Sequence, residues 1–126
     1  MATANPPGIK CTAEECRQVI ERVRVLYPML SDHDATAERA RIFHALGNEK
    51  RLQILALLSV RQLCVCNLVA ALGGAASTVA HHLRILEEAG LIVARQEGKF
   101  TLYALDEAIL RQYRVFDESL SQEPVR

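Results

Sequence analysis

Residues 63–90, LCVCNLVAALGGAASTVAHHLRILEEAG, decide the fold. An apolar run over 63–72 is dense enough for a buried helix, and Gly73-Gly74 breaks it. From Ala76 the apolar positions Val79, Leu83 and Leu86 return at helical spacing, until Gly90 stops the pattern. Helix, short glycine turn, helix is the sequence form of a helix-turn-helix, here over about residues 63–89. The period then changes. LIVARQ and FTLYAL are β-rich runs separated by Glu97-Gly98-Lys99, which predicts a hairpin, a wing, over about 91–105.

Working outward, a Pro-containing tail over 1–11 precedes a helix over about 12–28, with Val19, Val23, Leu26 and Leu30 on one face. Ser31 and Asp34 offer caps for a second helix over 35–46, which Gly47 would close in a left-handed conformation. Asn48 can cap a third helix, EKRLQILALLS, with Leu52, Leu55 and Leu58 as its buried stripe. From Asp106 the chain returns to helix to about 120, with Ile109, Leu110, Tyr113, Phe116 and Leu120 on one face. The expectation is one domain over 12–126: mostly α with a β-hairpin wing, a winged helix-turn-helix. Its first and last helices carry more apolar surface than a monomer of 126 residues can cover, so they are expected to pair across a homodimer.

Fifteen basic and fifteen acidic side chains cancel, so bulk charge announces no nucleic-acid binder. Charge is nevertheless segregated: residues 39–61 hold Arg39, Arg41, Lys50, Arg51 and Arg61 against Glu49 alone. No basic-then-apolar leader opens the chain, and no apolar run reaches the ~18–20 residues of a membrane helix, so a cytoplasmic location and no membrane partner are expected. An enzyme is disfavoured, because no nucleophile, base and orienting group come in sequence and no phosphate loop is present.

Off the buried stripe of the last helix of the helix-turn-helix stand Ser77, Thr78, His81, His82 and Arg84, short polar and basic groups suited to base edges. The alternative is a solvated helix face. A following wing whose tip carries Arg95 and Lys99 favours double-stranded DNA. His81 and His82 do not make a metal pair, since neighbours on a helix point ~100° apart.

Four cysteines remain, Cys11, Cys16, Cys64 and Cys66. In a reducing compartment they suit metal or redox chemistry better than a disulfide frame. On a regular helix residues two apart diverge by ~200°, so Cys64 and Cys66 share one ion only where the helix start loosens. Cys11 and Cys16 lie ~140° apart on the same basis, so one of them must leave the helix to join a common site. A soft-metal site, a dithiol switch and plain packing as small hydrophobes all remain open.

With LCVCNL, STVAHHLRILEEAGLI and the wing-tip stretch Gln96-Glu97-Gly98-Lys99 together, residues 35–115 resemble the ArsR/SmtB family of metal-sensing repressors. The resemblance implies a homodimer that represses a metal-resistance operon and leaves its operator DNA when metal binds. It implies DNA contacts at Ser77, Thr78, His81, Arg84, Arg95 and Lys99. It also implies a thiolate site at Cys11, Cys16, Cys64 and Cys66, as in the cadmium- and lead-responsive branch. The gap between Cys11 and Cys16 is one residue longer than that branch's pattern, and Val69 stands where arsenite sensors often carry a third cysteine. The family's zinc site on the last helix is absent: Asp106 is followed by Ala108, Ser119 and Gln122 at the ligand positions. Soft thiolates favour Cd(II), Pb(II), As(III) or Zn(II) as the inducer. The alternative is a redox-sensing repressor in which Cys11 or Cys16 bonds to Cys64 or Cys66.

Overall fold

The computed structural model describes residues 11–116, which fall into two compact units meeting at Arg39–Ala40, inside the second helix. In the first unit, α1 (Ala13–Leu26) starts from a reciprocal cap. Thr12 Oγ1 accepts from the Glu15 amide at 3.1 Å, and Glu15 Oε2 accepts from the Thr12 amide at 2.7 Å. Those hydrogen bonds hold the Glu15 carboxyl below its ordinary pKa. The helix ends two residues short of the expected 28, because Pro28 forces Tyr27 out of helical geometry (φ −134°, ψ 70°). Leu30 therefore sits in a 3₁₀ turn, Pro28–Ser31, and not on α1. Asp32, rather than Ser31 or Asp34, starts α2 (His33–Leu46): its Oδ1 accepts from the amides of Asp34 and Ala35 at 2.9 and 3.3 Å. No residue of α1 is buried.

The second unit builds a core of its own. The last turns of α2, with Ile42 and Ala45, pack with Ile54, Leu55 and Leu58 of α3 (Glu49–Leu58). Leu68 of α4 (Val65–Leu72) and Val79, Leu83 and Leu86 of α5 (Ala76–Glu88) close the same cluster. In α3 the stripe is turned from the expected one: Leu52 is half-buried, and Ile54 and Arg51 are inside. Asn48 caps α3 as anticipated, Oδ1 accepting from the Arg51 amide at 3.1 Å. Gly47 does not adopt the left-handed conformation assigned to it; among the described glycines, positive φ is confined to Gly73, Gly74, Gly90 and Gly98. The end of α2 is instead closed from outside, by the Arg51 guanidinium on the carbonyls of His44 (3.3 Å) and Ala45 (2.8 Å).

Gly90, at φ 81°, lets α5 turn directly into the wing, with the Leu91 amide bonded back to Leu86 O at 3.0 Å. The wing is an antiparallel pair, β1 (Ile92–Glu97) and β2 (Phe100–Leu105), with Ile92 opposite Leu105 and Glu97 opposite Phe100. Leu63 adds a one-residue third strand to it: Leu63 and Tyr103 exchange both backbone hydrogen bonds, at 2.9 and 3.3 Å. That bridge holds Leu63 extended and delays α4, whose first helical residue is Val65 rather than Leu63. After Asp106 caps it, α6 (Glu107–Gln112) is shorter than expected. It stops where Arg114 takes a left-handed φ of 51° and the Val115 amide returns to Leu110 O at 3.1 Å. Leu120, Ser119, Gln122 and the tail before Cys11 lie outside the described residues. Among those described, no helix is long and apolar enough to cross a membrane.

Candidate nucleic-acid interface and thiol pairs

Burying Val79, Leu83 and Leu86 fixes the roll of α5, and leaves Ser77, Thr78, His81 and Arg84 together on its exposed side. Arg84 donates to His81 Nδ1 at 3.1 Å. A guanidinium can only donate, so Nδ1 accepts and the neutral ring of His81 presents Nε2–H outward as a donor. Ala75 gives the first turn no side-chain cap, and the Thr78 amide bonds back to the Ala75 carbonyl at 3.1 Å.

His82 is turned off this face. Its Nδ1 accepts from Arg51 at 3.1 Å, so α5 is braced on α3 through a guanidinium that is 6% exposed. Desolvation first, then the charges of Arg51, His81 and Lys50, hold the His82 pKa below the ordinary histidine value. Of the basic cluster over 39–61, Arg51 is thus an internal strut and takes no part in the surface field. Sequence reading gave neither residue this role, since the contact joins positions 31 apart.

In the wing, Lys99 occupies the tip beside Gly98 (φ 61°) and forms no hydrogen bond or ion pair with a described residue. Arg95 is not at the tip. It lies within β1 opposite Leu102, donates to Gln62 Oε1 at 2.6 Å and faces Glu97 Oε1 at 3.1 Å. The two residues before the cysteine box, Gln62 and Leu63, are therefore both tied to the wing, one to each strand.

None of the four cysteines is in a disulfide. Cys64 is not on a helix: as the N-cap of α4 it is extended (φ −97°, ψ 173°), so the ~200° divergence expected from Cys66 does not apply. Its amide and its thiol both donate to Asn67 Oδ1, each at 3.1 Å. Cys66, in the first turn of α4, is exposed. In the first unit Cys11 precedes the cap and Cys16 stands in the helix, both exposed and near enough to influence each other. Partial desolvation, then the charge and hydrogen bond of Cys11, then Glu15, push the Cys16 thiol above its ordinary range. The Thr12-x-x-Glu15 signal that fixes this approach stands in the sequence, although the expectation was of a loose tail. Each unit thus offers two thiols, and among the described residues no three His, Cys, Asp or Glu side chains gather into a metal-holding group.

A hairpin wing following a helix whose polar face is aimed outward defines a winged helix-turn-helix DNA-binding regulator. Residues 48–93 match the family model described as bacterial regulatory protein, arsR family. A transcriptional repressor SmtB homologue from Synechocystis is 34% identical over 104 residues, covering 82% of this chain and 79% of that protein. A cadmium resistance transcriptional regulatory protein, a CadC homologue from Staphylococcus aureus, is 36% identical over 74 residues, covering 58% of this chain and 61% of its own length. Among solved structures, a homodimeric winged helix-turn-helix DNA-binding domain from Mycobacterium bovis superposes with a TM-score of 0.61 at 32% identity, covering 75% of this chain and 94% of that one. The chain belongs to the ArsR/SmtB family of transcriptional regulators.

Proposed function

We propose that the chain is a homodimeric repressor that holds operator DNA through Ser77, Thr78, His81, Arg84, Arg95 and Lys99. A soft metal ion on Cys11, Cys16, Cys64 and Cys66 releases it, placing it nearest the cadmium- and lead-responsive regulators. The observation that carries this reading is the position of the box. Cys64 is the N-cap of α4, the helix packed against α5, and the two residues before it are bonded to the wing.

The donor set fits thiophilic ions. Each unit supplies two thiols, the three- or four-sulfur shell of Cd(II), Pb(II), As(III) or Zn(II) needs both, and hard ions would be poorly held. When bound, the ion supplies positive charge that stabilises thiolates. What the chain does in response follows from its own bonds. The Cys64 thiol donates a hydrogen bond to Asn67 Oδ1, and the same oxygen accepts from the Cys64 amide at the start of α4. A Cys64 thiolate faces that oxygen as anion against acceptor, so Asn67 must turn away and the cap opens. The disturbance enters at the joint between Leu63, held by the wing, and α4, which supports α5. Both DNA-contacting elements are reached from one residue. A pure redox repressor has no comparable support in the box, where the Cys64 thiol is engaged with Asn67.

The test is affinity for a duplex selected from a random library, followed by fluorescence anisotropy under reducing conditions, with and without Cd(II), Pb(II) or As(III). A coupling of ~1–3 kcal/mol gives about 5- to 150-fold weaker binding with metal. Cys64→Ser and Cys66→Ser should keep the metal-free affinity and lose the response. Release by these variants on adding metal would remove the box from the mechanism.

A further inference from the structure

The cap of α1 does more than start a helix. In a reciprocal Thr-x-x-Glu cap the residue before the cap and the fourth helical residue are brought face to face, a contact usually made by two hydrophobic side chains. Here those two positions are Cys11 and Cys16. The backbone that sets their approach is fixed by three hydrogen bonds: the two of the cap at 2.7 and 3.1 Å, and the Cys16 amide to Thr12 O at 3.0 Å. The cap places the two thiols on the same side of the helix start, near enough for Cys11 to act on Cys16, and both are exposed to solvent-borne reagents. The box differs on each count. The Cys64 thiol is turned to Asn67, and Cys66 leaves from the first turn of α4 with no hydrogen bond to Cys64.

We propose that Cys11 and Cys16 form an oxidation site, closing to an intramolecular disulfide when the chain meets hydrogen peroxide. One sulfur attacks the peroxide O–O bond and becomes a sulfenic acid, releasing one water. The second thiol then displaces the hydroxyl from that sulfur, forming the S–S bond and releasing a second water. Two electrons pass from the two sulfurs to the peroxide, and both thiol protons leave in the waters. Closure needs only that the two sulfurs cover the separation left between the residue before the cap and the fourth helical residue, which the cap already turns toward each other. The disulfide is independent of the metal reading. Its consequence rests on that reading: two of the four ligands are removed while α5 and the wing are untouched, so the oxidised repressor holds DNA but answers metal weakly.

Trypsin separates the possibilities, because Cys11 and Cys16 share one peptide, 11–17, and Cys64 and Cys66 share another, 62–84. The full metal-free chain is titrated with hydrogen peroxide, alkylated, digested without reductant and weighed. Expected is loss of two hydrogens from peptide 11–17, with 62–84 doubly alkylated. A disulfide within 62–84, a link between the two peptides, or sulfinic acid on one cysteine in place of a bond would each overturn the proposal. Thr12→Ala keeps both thiols and loosens the cap, and should slow closure about fivefold; an unchanged rate would also overturn it. Cd(II)-driven release from DNA is then compared before and after oxidation. If the disulfide forms and release is undiminished, the oxidation site stands and the ligand role of Cys11 and Cys16 falls.

Discussion

The two units are built on opposite plans. The winged unit buries apolar side chains from every helix it contains and even uses a cation internally, Arg51, to close α2 and hold α5. The N-terminal unit has a well-capped helix with nothing buried, and it leaves Val19, Ile20, Leu26 and Tyr27 about half exposed or more. One is complete by itself. The other has local helix signals and an apolar stripe but no core, which is how a surface looks when a second copy of the chain is to cover it. The same contrast divides the thiols: Cys64 is engaged by Asn67 of the helix that packs against α5, whereas Cys11 and Cys16 flank the exposed cap of α1.

The largest effect should come from breaking the winged unit at its strut. Arg51→Ala leaves the His44 and Ala45 carbonyls and His82 Nδ1 without their donor, and should lower stability by about 3 kcal/mol in urea unfolding followed by circular dichroism. Arg51→Lys cannot span the three acceptors and should recover little. A loss under ~1 kcal/mol would make the guanidinium an incidental contact.

Next comes the N-terminal stripe. Val19→Glu replaces a β-branched residue with a better helix former, so α1 itself should not suffer. If the stripe is closed by a second copy, removing Val19 should raise the dimer dissociation constant tenfold or more in sedimentation, since burying such a side chain contributes about 1.5–3 kcal/mol. Unchanged dimerisation would leave the exposed stripe without the partner argued for it.

What was legible in the sequence follows the same line. The stripe of α5, the break at Gly73-Gly74 and the hairpin were readable because periodicity and glycine chemistry are local. Arg51 was not, because a basic side chain is ordinarily at the surface, and its burial depends on the end of α2 and on His82 converging on it. The start of α4 was misread because cysteine is no preferred cap, and the residue that delays the helix, Leu63, is held by Tyr103 forty positions away. Val115, turning back over the left-handed Arg114, likewise ended α6 without a glycine to announce it. The approach of positions 11 and 16 was written in Thr12 and Glu15, whose capping pattern is local.

The smallest effect is a pH dependence located in the brace between α3 and α5. His82 faces Arg51 and Lys50 from α3 and His81 from its own helix, and its Nδ1 is already engaged as an acceptor. Protonation would remove that acceptor and set an imidazolium against a buried guanidinium, so the fold favours the neutral ring and its pKa lies below that of the unfolded chain. The unfolded state therefore binds the proton first as the pH falls. The resulting stability is fully present above the ordinary histidine value of ~6.5, and is lost as the pH drops from there toward the folded value. The chain holds three other histidines, so the quantity to measure is a difference. His82→Gln can keep an acceptor for Arg51 through its side-chain carbonyl but cannot ionise. Urea midpoints taken between about pH 7.5 and 5.5 should fall more steeply for the native chain than for His82→Gln. Parallel curves would mean that the ring escapes Arg51 at little cost, and that the winged unit is less closed on itself than its packing implies.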